Sequence, residues 1–478
     1  MTVVLRLTLA CWLAISGGWA STAGAGAPES PYFEFTQDEG VFALFAALNA
    51  AGYDVVANYL GMHPLRVKVR ESLRREANGP ELPHAFEHAA HALPRGRPWV
   101  LGSVLLTQGP PDFAPAERES MSRESRQLLA QGSDLLVALR TFYRQMDLRS
   151  LWAETRRAQE AWSVSLAERA DSLCTCALSL TGIDTPEVPV RVIVIPTVLD
   201  AYWTTHDYEI ERGPVLVLGP SVDADPSLLV QTLLRAVLDR AAADHYLVIR
   251  EKRALFDLVG DRPDVLSSCR GFHELVTRCL AWAIWLRVCG EDLRWVDGEL
   301  DRLSARGFLL VCAFYDEVGR SRWASPSEAV EQAVGSIDVE RERRRWEESR
   351  AVRERWGAIF EADLKRRTGQ YSEAQAMYET VLEADAENAR ALFGIGSLLH
   401  DLGRADEAKA AFERALRARP DEPAIEAWSW LRIGWIEDLA GRREAALDAY
   451  RRALAVGTNE RNVAEIARRG LETPFEAP

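Results

Sequence analysis

Between residues 369 and 453 one spacing of small and aromatic residues occurs three times, and nothing else in the chain limits its fold as tightly. The first copy carries Gly369, Tyr371, Ala374 and Tyr378; the second carries Gly403, Ala408, Phe412, Ala415 and Pro420. The third carries Gly441, Ala446, Tyr450 and Ala453. Gly369 and Gly403 are 34 residues apart and Gly403 and Gly441 are 38 apart, so the last copy holds a short insertion, which we place near Glu422–Glu426. A period of this length marks a two-helix unit that cannot bury its own apolar face and must stack on its copies. Small residues at fixed offsets let two antiparallel helices approach closely, and the aromatic residues fill the gap to the next pair. An ordinary helical bundle has no reason to repeat those offsets.

The copies resemble the tetratricopeptide repeat, whose period is about 34 residues. The resemblance implies an all-α solenoid of three repeats over 356–478, with the first helix of each pair lining a concave face that binds a protein or peptide partner. Carried onto this chain, the groove positions are Trp356, Asp363 and Arg366, then Phe393, Ser397 and His400, then Trp428, Leu431, Trp435 and Asp438. Trp428 and Trp435 are seven residues apart and share a helix face. Exposed, they suit an extended or helical peptide; otherwise one or both pack against the neighbouring repeat. Ile359 and Asp363 stand where the carboxylate-clamp subclass places a basic residue and Asn, so capture of a chaperone C-terminus is not expected. Glu361-Ala362 replaces the usual Leu-Gly in copy one, and Asn462–Arg469 reads as a polar capping helix.

At 478 residues the chain has room for two or three domains. An apolar content of 47% and a charged content of 27% describe a chain that folds. The net charge of -14 argues against nucleic acid as a partner, because that binding needs clustered positive charge. The first residues read as an export signal over 1–27: Arg6, an apolar stretch Leu7–Ile15, and small residues from Ala20 to Ala27. The expected location is periplasmic or extracellular in a bacterium, with Cys11 a faint lipoprotein signal and no later stretch long enough to span a membrane. Export leaves six cysteines, at 174, 176, 269, 279, 289 and 312, and these allow either disulfides of unassignable pairing or buried thiols.

Periodicity organises the rest. Helical patterns cover Thr36–Leu60, Leu65–Glu76, Leu82–Leu93 and Ser103–Leu106; Pro110-Pro111 interrupts; a long helical stretch runs from Glu117 to about Leu180. Val190–Ile195 and Val215–Leu218 have the β-branched composition of strands, with Trp203–Ile210 a hairpin or third strand between them. Helices follow at Pro226–Leu247, Phe272–Cys289, Glu299–Val318 and Pro326–Ile337. The expected fold is mainly α: an α+β domain with a small sheet over 28–340, a charged, solvated connecting helix over 341–355, and the solenoid.

Strands, then a helix, then an apolar helix opening with Glu274 resemble the core of exported bacterial zincin metallopeptidases, across Pro189–Leu199, Val215–Pro220, Leu228–Val237 and Gly271–Arg287. The resemblance implies a His-Glu-x-x-His helix after the second strand, its two His binding zinc and its Glu polarising a metal-bound water. Here Gln231, Thr232 and Arg235 occupy those three places, and only the third ligand position is kept, as Glu274. Gln binds zinc poorly, Thr is no base, and Arg repels a cation. The expectation is a domain without catalysis and a protein without cofactor. The alternative is a zinc hydrolase using His84, Glu87 and His88, an inverted His-x-x-Glu-His motif whose histidines share a helix face, with Glu160 or Glu168 as a further ligand. Against it, no strand signal precedes that helix. No nucleophile elbow, P-loop or dinucleotide fingerprint occurs, and no nucleophile is placed beside Asp200, His206 and Asp207. The leading expectation is thus an exported interaction scaffold built on a degenerate zincin-like domain.

Overall fold

The structure, a computed structural model, describes residues 30–53, 63–76, 84–93, 97, 99–116, 121–183, 190–200, 205–210, 213–220, 226–262, 265, 269, 271–289, 293–367, 369–418, 420, 422–457 and 463–475. The export segment expected at 1–27 lies outside the described residues. The chain divides into two compact units, one ending at Val237 and one beginning at Leu238. The boundary expected near 340 falls inside the second of these. The architecture is mainly α with one small sheet. Among the described residues no helix is long and apolar enough to cross a membrane.

The first unit holds four strands, β1 (Phe33–Phe35), β2 (Val192–Pro196), β3 (Thr205–Ile210) and β4 (Gly213–Leu218), in the order β1-β2-β4-β3. β1 and β4 both run parallel to β2, and β3 closes the edge antiparallel to β4, with His206 opposite Val217. The stretch expected to be a hairpin or third strand is therefore β3. β1 was not expected: three residues are too few to show alternation. It is held by Arg191, whose guanidinium donates to the carbonyls of Ser30 (2.9 Å) and Phe33 (3.1 Å). β2 is buried on both faces, which is why its sequence is a continuous apolar run rather than an alternating one.

Helices cover the sheet: α1 (Glu39–Ala50), α2 (Pro64–Glu76), α3 (His84–Ala92), α4 (Trp99–Leu105), α5 (Arg123–Gln131), α6 (Ser133–Gln145) and α7 (Arg149–Ser179). The Asp38 carboxylate caps α1 by accepting the Val41 N–H at 2.8 Å. Phe42, Phe45 and Leu48 of α1 share one core with Ile193, Ile195, Val215 and Val217 of the sheet. The stretch from Glu117 to Leu180, expected as a continuous helical run, breaks at Gly132 and again at 146–148. Gly132 is required there, because a Cβ would lie 2.3 Å from Ser103. After β4 comes α8 (Ser227–Ala243), which carries the Val237–Leu238 division.

The second unit continues with α9 (Tyr246–Glu251), α10 (Phe272–Cys289), α11 (Leu293–Ala305), α12 (Val311–Arg320), α13 (Pro326–Gly335) and α14 (Val339–Glu348). α10 is the apolar helix its sequence suggests, with Leu275, Val276, Leu280, Ala283, Ile284 and Leu286 fully buried. Its Arg287 lies over the Tyr315 ring at 3.5 Å and donates to the Tyr315 carbonyl at 2.7 and 2.9 Å. The charged connector is not one solvated helix. It ends at Ser349, and it buries Glu342 and Trp346, the latter beneath the Arg353 guanidinium at 3.5 Å. An apolar ring and a cation packed face to face need less water than their charge content suggests.

Three helix pairs follow: α15 (Arg350–Arg367) with α16 (Tyr371–Ala384), α17 (Ala389–Asp401) with α18 (Ala405–Arg417), and α19 (Pro423–Leu439) with α20 (Arg443–Ala455). α21 (Val463–Glu472) packs on the last pair, where a capping helix was expected. Gly369, Gly403 and Gly441 end the first helices with φ of 79, 74 and 71°, and nothing lies within 4 Å of where their Cβ would be. They are turn glycines, chosen for left-handed backbone and not for close packing. The close approach is made elsewhere. Ala374, Ala408 and Ala446 are fully buried, and a Cβ on Gly394, Gly396 or Gly434 would meet the rings of Tyr378, Phe412 or Tyr450 at 2.4, 2.7 and 2.4 Å. Each of those rings, buried completely, contributes about 2 kcal/mol through area removed from water. The insertion in copy three lengthens a helix: α19 has 17 residues where α17 has 13. The added turn buries Ala424, Ile425 and Ala427, and a Cβ added to Gly298 of α11 would lie 3.7 Å from the side chain of Glu422 ahead of it.

Candidate interaction face of the repeats

The groove positions expected from sequence sit on α15, α17 and α19, and the acidic ones among them are engaged inside the array. Asp363 accepts the Tyr378 hydroxyl and an Arg390 N–H at 2.9 Å, joining three successive helices. Asp438 repeats the arrangement: Tyr450 donates its hydroxyl at 2.7 Å and Arg443 two N–H bonds at 2.9 and 3.0 Å. Burial beside these carboxylates pushes both tyrosine hydroxyls well above their ordinary pKa. Arg366 bonds Asp401 at 2.6 Å, with both side chains nearly buried. Leu431 and Ser397 are buried, and the Ser397 hydroxyl finds no hydrogen-bond partner among the described residues.

What stays partly open is aromatic. Trp356 stacks on Phe360 at 5.4 Å, Phe393 tilts on Phe412 at 5.5 Å, and Trp428 meets Trp435 edge-on at 6.5 Å. Trp435 itself is 3% exposed, so of the two fates open to the Trp pair it takes packing and Trp428 remains half-buried. The Arg432 guanidinium lies 4.7 Å from the Trp435 ring centre, His400 lies at 6.4 Å, and Phe475 from the end of the chain stacks on it at 4.6 Å and 14°. Burial and the guanidinium groups of Arg432 and Arg366 pull the His400 pKa down to about 4. Burial and the like charge of Arg366 also lower that of Arg432, against the pull of Asp401.

The residues at the zincin-like positions are placed differently. Gln231 and Thr232 are buried in α8, 9% and 7% exposed. Arg235 forms an ion pair with Asp207 of β3 at 2.9 Å, joining the helix to the sheet edge. Those three belong to the first unit and Glu274 to the second. Between α1 and the sheet the chain keeps a buried polar network instead: the Asp200 carboxylate accepts the Tyr53 hydroxyl at 3.0 Å and faces His206 Nε2 at 2.8 Å. Beside it Arg66 donates to Asn49 Oδ1 at 2.6 Å and to the Tyr53 carbonyl at 2.8 Å, and Asn49 donates to the Leu199 carbonyl at 2.8 Å.

At the inverted motif, the fully exposed His84 pairs with Glu87 at 3.0 Å, while His88 stacks on Trp99 at 5.3 Å. The two histidines are thus engaged with different neighbours. Glu160 pairs with Arg156 on its own helix at 3.4 Å, and Glu168 is exposed. Among the described residues no three His, Cys, Asp or Glu side chains gather where a metal ion would sit. Cys174, Cys279 and Cys312 are thiols, and burial raises the pKa of each, to about 11 at Cys312.

Sequence reasoning missed Arg390, Asp401, Arg432 and Phe475. Arg432 had a signal, a lone cation inside the apolar run Trp428–Ile436. Phe475 had one too: an aromatic after Pro474 in an otherwise polar tail. The sequence model of the tetratricopeptide repeat matches residues 361–423, from the end of α15 through α18 to the start of α19. No curated protein matches the chain.

Proposed function

We propose that the chain is an exported interaction protein, holding a protein or peptide partner on its repeats and joined to a zincin-like domain that has lost catalysis. The repeat array carries the reading, since a small residue and a ring are fully buried at matching offsets in all three pairs and part of it matches the tetratricopeptide model. Three observations support inertness upstream: Gln231 and Thr232 are buried side chains unsuited to zinc, and Arg235 is tied to Asp207 where a ligand would stand. The succession of β2, β3, β4 and α8, with the Glu274 helix downstream, supports the resemblance itself. The apolar start at Leu7–Ile15 supports export.

Two measurements on the full-length mature protein test this. Capture of partners from envelope extract should fall on Trp428→Ala, which removes a half-buried ring of the inner face while leaving Trp435 in place. Unchanged capture would remove the groove from the proposal. Metal analysis should find no stoichiometric zinc; one zinc per chain, lost on His88→Ala, would replace the scaffold with the hydrolase.

A further inference from the structure

Phe475, beyond the last helix, occupies part of the face that the proposed function assigns to a partner. α21 ends at Glu472, where the Thr473 N–H closes the helix on the Arg469 carbonyl at 2.8 Å. Phe475 then lies outside any helix and makes two contacts of the kind a bound peptide makes. Its ring stacks on Trp435 at 4.6 Å with an interplanar angle of 14°. Its backbone N–H donates to Asp438 Oδ2 at 2.8 Å. The Asp438 side chain is fully buried and otherwise serves Arg443 and Tyr450, so this one acceptor position is taken by the backbone of a segment without secondary structure. Arg443 completes the cradle by donating to the Leu471 carbonyl at 3.0 Å. The two contacts together read a backbone N–H and an aromatic side chain on a segment outside any helix or strand; neither contact needs Phe475 to belong to the same chain.

We propose, resting on the scaffold reading, that the third repeat pair is a recognition site for an extended peptide segment bearing an aromatic side chain, and that the terminal segment around Phe475 is its intramolecular occupant. The partner's aromatic residue replaces Phe475 on Trp435, and its backbone N–H takes over Asp438. The affinity of the free chain is thereby reduced to the intrinsic affinity multiplied by the fraction of time the segment around Phe475 is unseated.

The test uses the full-length protein and a fluorescein-labelled peptide of the chain's own residues 472–478, Glu-Thr-Pro-Phe-Glu-Ala-Pro, followed by anisotropy. Phe475→Ala protein should bind it about tenfold more tightly than the wild type, or better. The same peptide with Ala in place of Phe should not bind. Equal binding by both proteins, or no binding by a Phe475→Ala protein that still melts cooperatively, makes the tail a fixed cap and overturns the proposal. So does a concentration-dependent dimer in light scattering, which would assign the site to the tail of a second copy. If Phe475→Ala melts without cooperativity, Phe475→Leu keeps apolar cover, loses the stacking and serves the same titration; no gain over wild type there is equally fatal. The scaffold reading fails separately, by loss of nothing in partner capture when Trp428 is changed.

Discussion

Two buried carboxylates organise the two units, and their partners differ in kind. Asp200 in the first unit and Asp438 in the second both have side chains shut off from water. Asp200 takes Tyr53, 147 residues away, and His206 of β3, so its bonds lie between the end of α1 and the sheet edge, and core packing surrounds them. Asp438 takes Arg443 and Tyr450 from the next helix, and then Phe475 from a segment that no helix or strand holds. The same chemistry acts as a lock in one place and a latch in the other. A carboxylate whose partners sit in the core holds them in place; one with a detachable partner can exchange it.

The largest effect should follow from breaking the lock. Asp200→Ala leaves the buried Tyr53 hydroxyl and His206 without their acceptor and should cost about 3 kcal/mol, read from urea unfolding. A cost no greater than that of Phe475→Ala would end the distinction between lock and latch. Next comes Gly434→Ala, whose methyl would lie 2.4 Å from the Tyr450 ring and push the hydroxyl off Asp438. The expected cost is about 2 kcal/mol, with partner capture weakened as well. A neutral result would mean that the third pair has slack and that Asp438 is not held in place by its tyrosine.

The smallest effect is one of pH, and it separates the units by the company their histidines keep. His206 faces the Asp200 carboxylate, whereas His400 sits near the guanidinium groups of Arg366 and Arg432. With its folded pKa lowered from 6.5 to about 4, His400 favours folding when neutral. That contribution is complete above pH 6.5 and is lost as pH falls toward 4, because the unfolded chain takes up the proton first. Discounted for partial exposure, it should amount to on the order of 1–2 kcal/mol between pH 7 and pH 4. His400→Gln should flatten that part of the profile in thermal melts; an unchanged profile would place the acid sensitivity elsewhere.

Much of the array was legible because its constraints are local. A glycine at a left-handed turn and an alanine or tyrosine at a fixed offset recur whatever else the helices touch, so the spacing survives even though Gly369, Gly403 and Gly441 serve the turn and not the packing. The inner face was legible only in outline. Position on a helix says which way Asp363, Arg366 and Asp438 point, but not that Arg390, Asp401 and Arg443 meet them, since the first two pairings depend on the stacking of one pair on the next and the third on the turn within a pair. The strand β1 was hidden by its three-residue length, and the lock around Asp200 by the 147 residues between its partners. Phe475 was hidden for the opposite reason: a residue beyond the capping helix obeys no period.

The extra turn of α19 has a further consequence for how such an array is inherited. Repeats of uniform length meet only their neighbours and can be gained, lost or moved as a cassette. Here α19 is one turn longer than α17, the added turn is buried through Ala424, Ile425 and Ala427, and a Cβ on Gly298 of α11 would come into van der Waals contact with Glu422 just ahead of it. The third pair thereby adjoins a helix that precedes it by more than a hundred residues. Trading them for another set would leave an unmatched step in the packing, so the binding face and its support must change together.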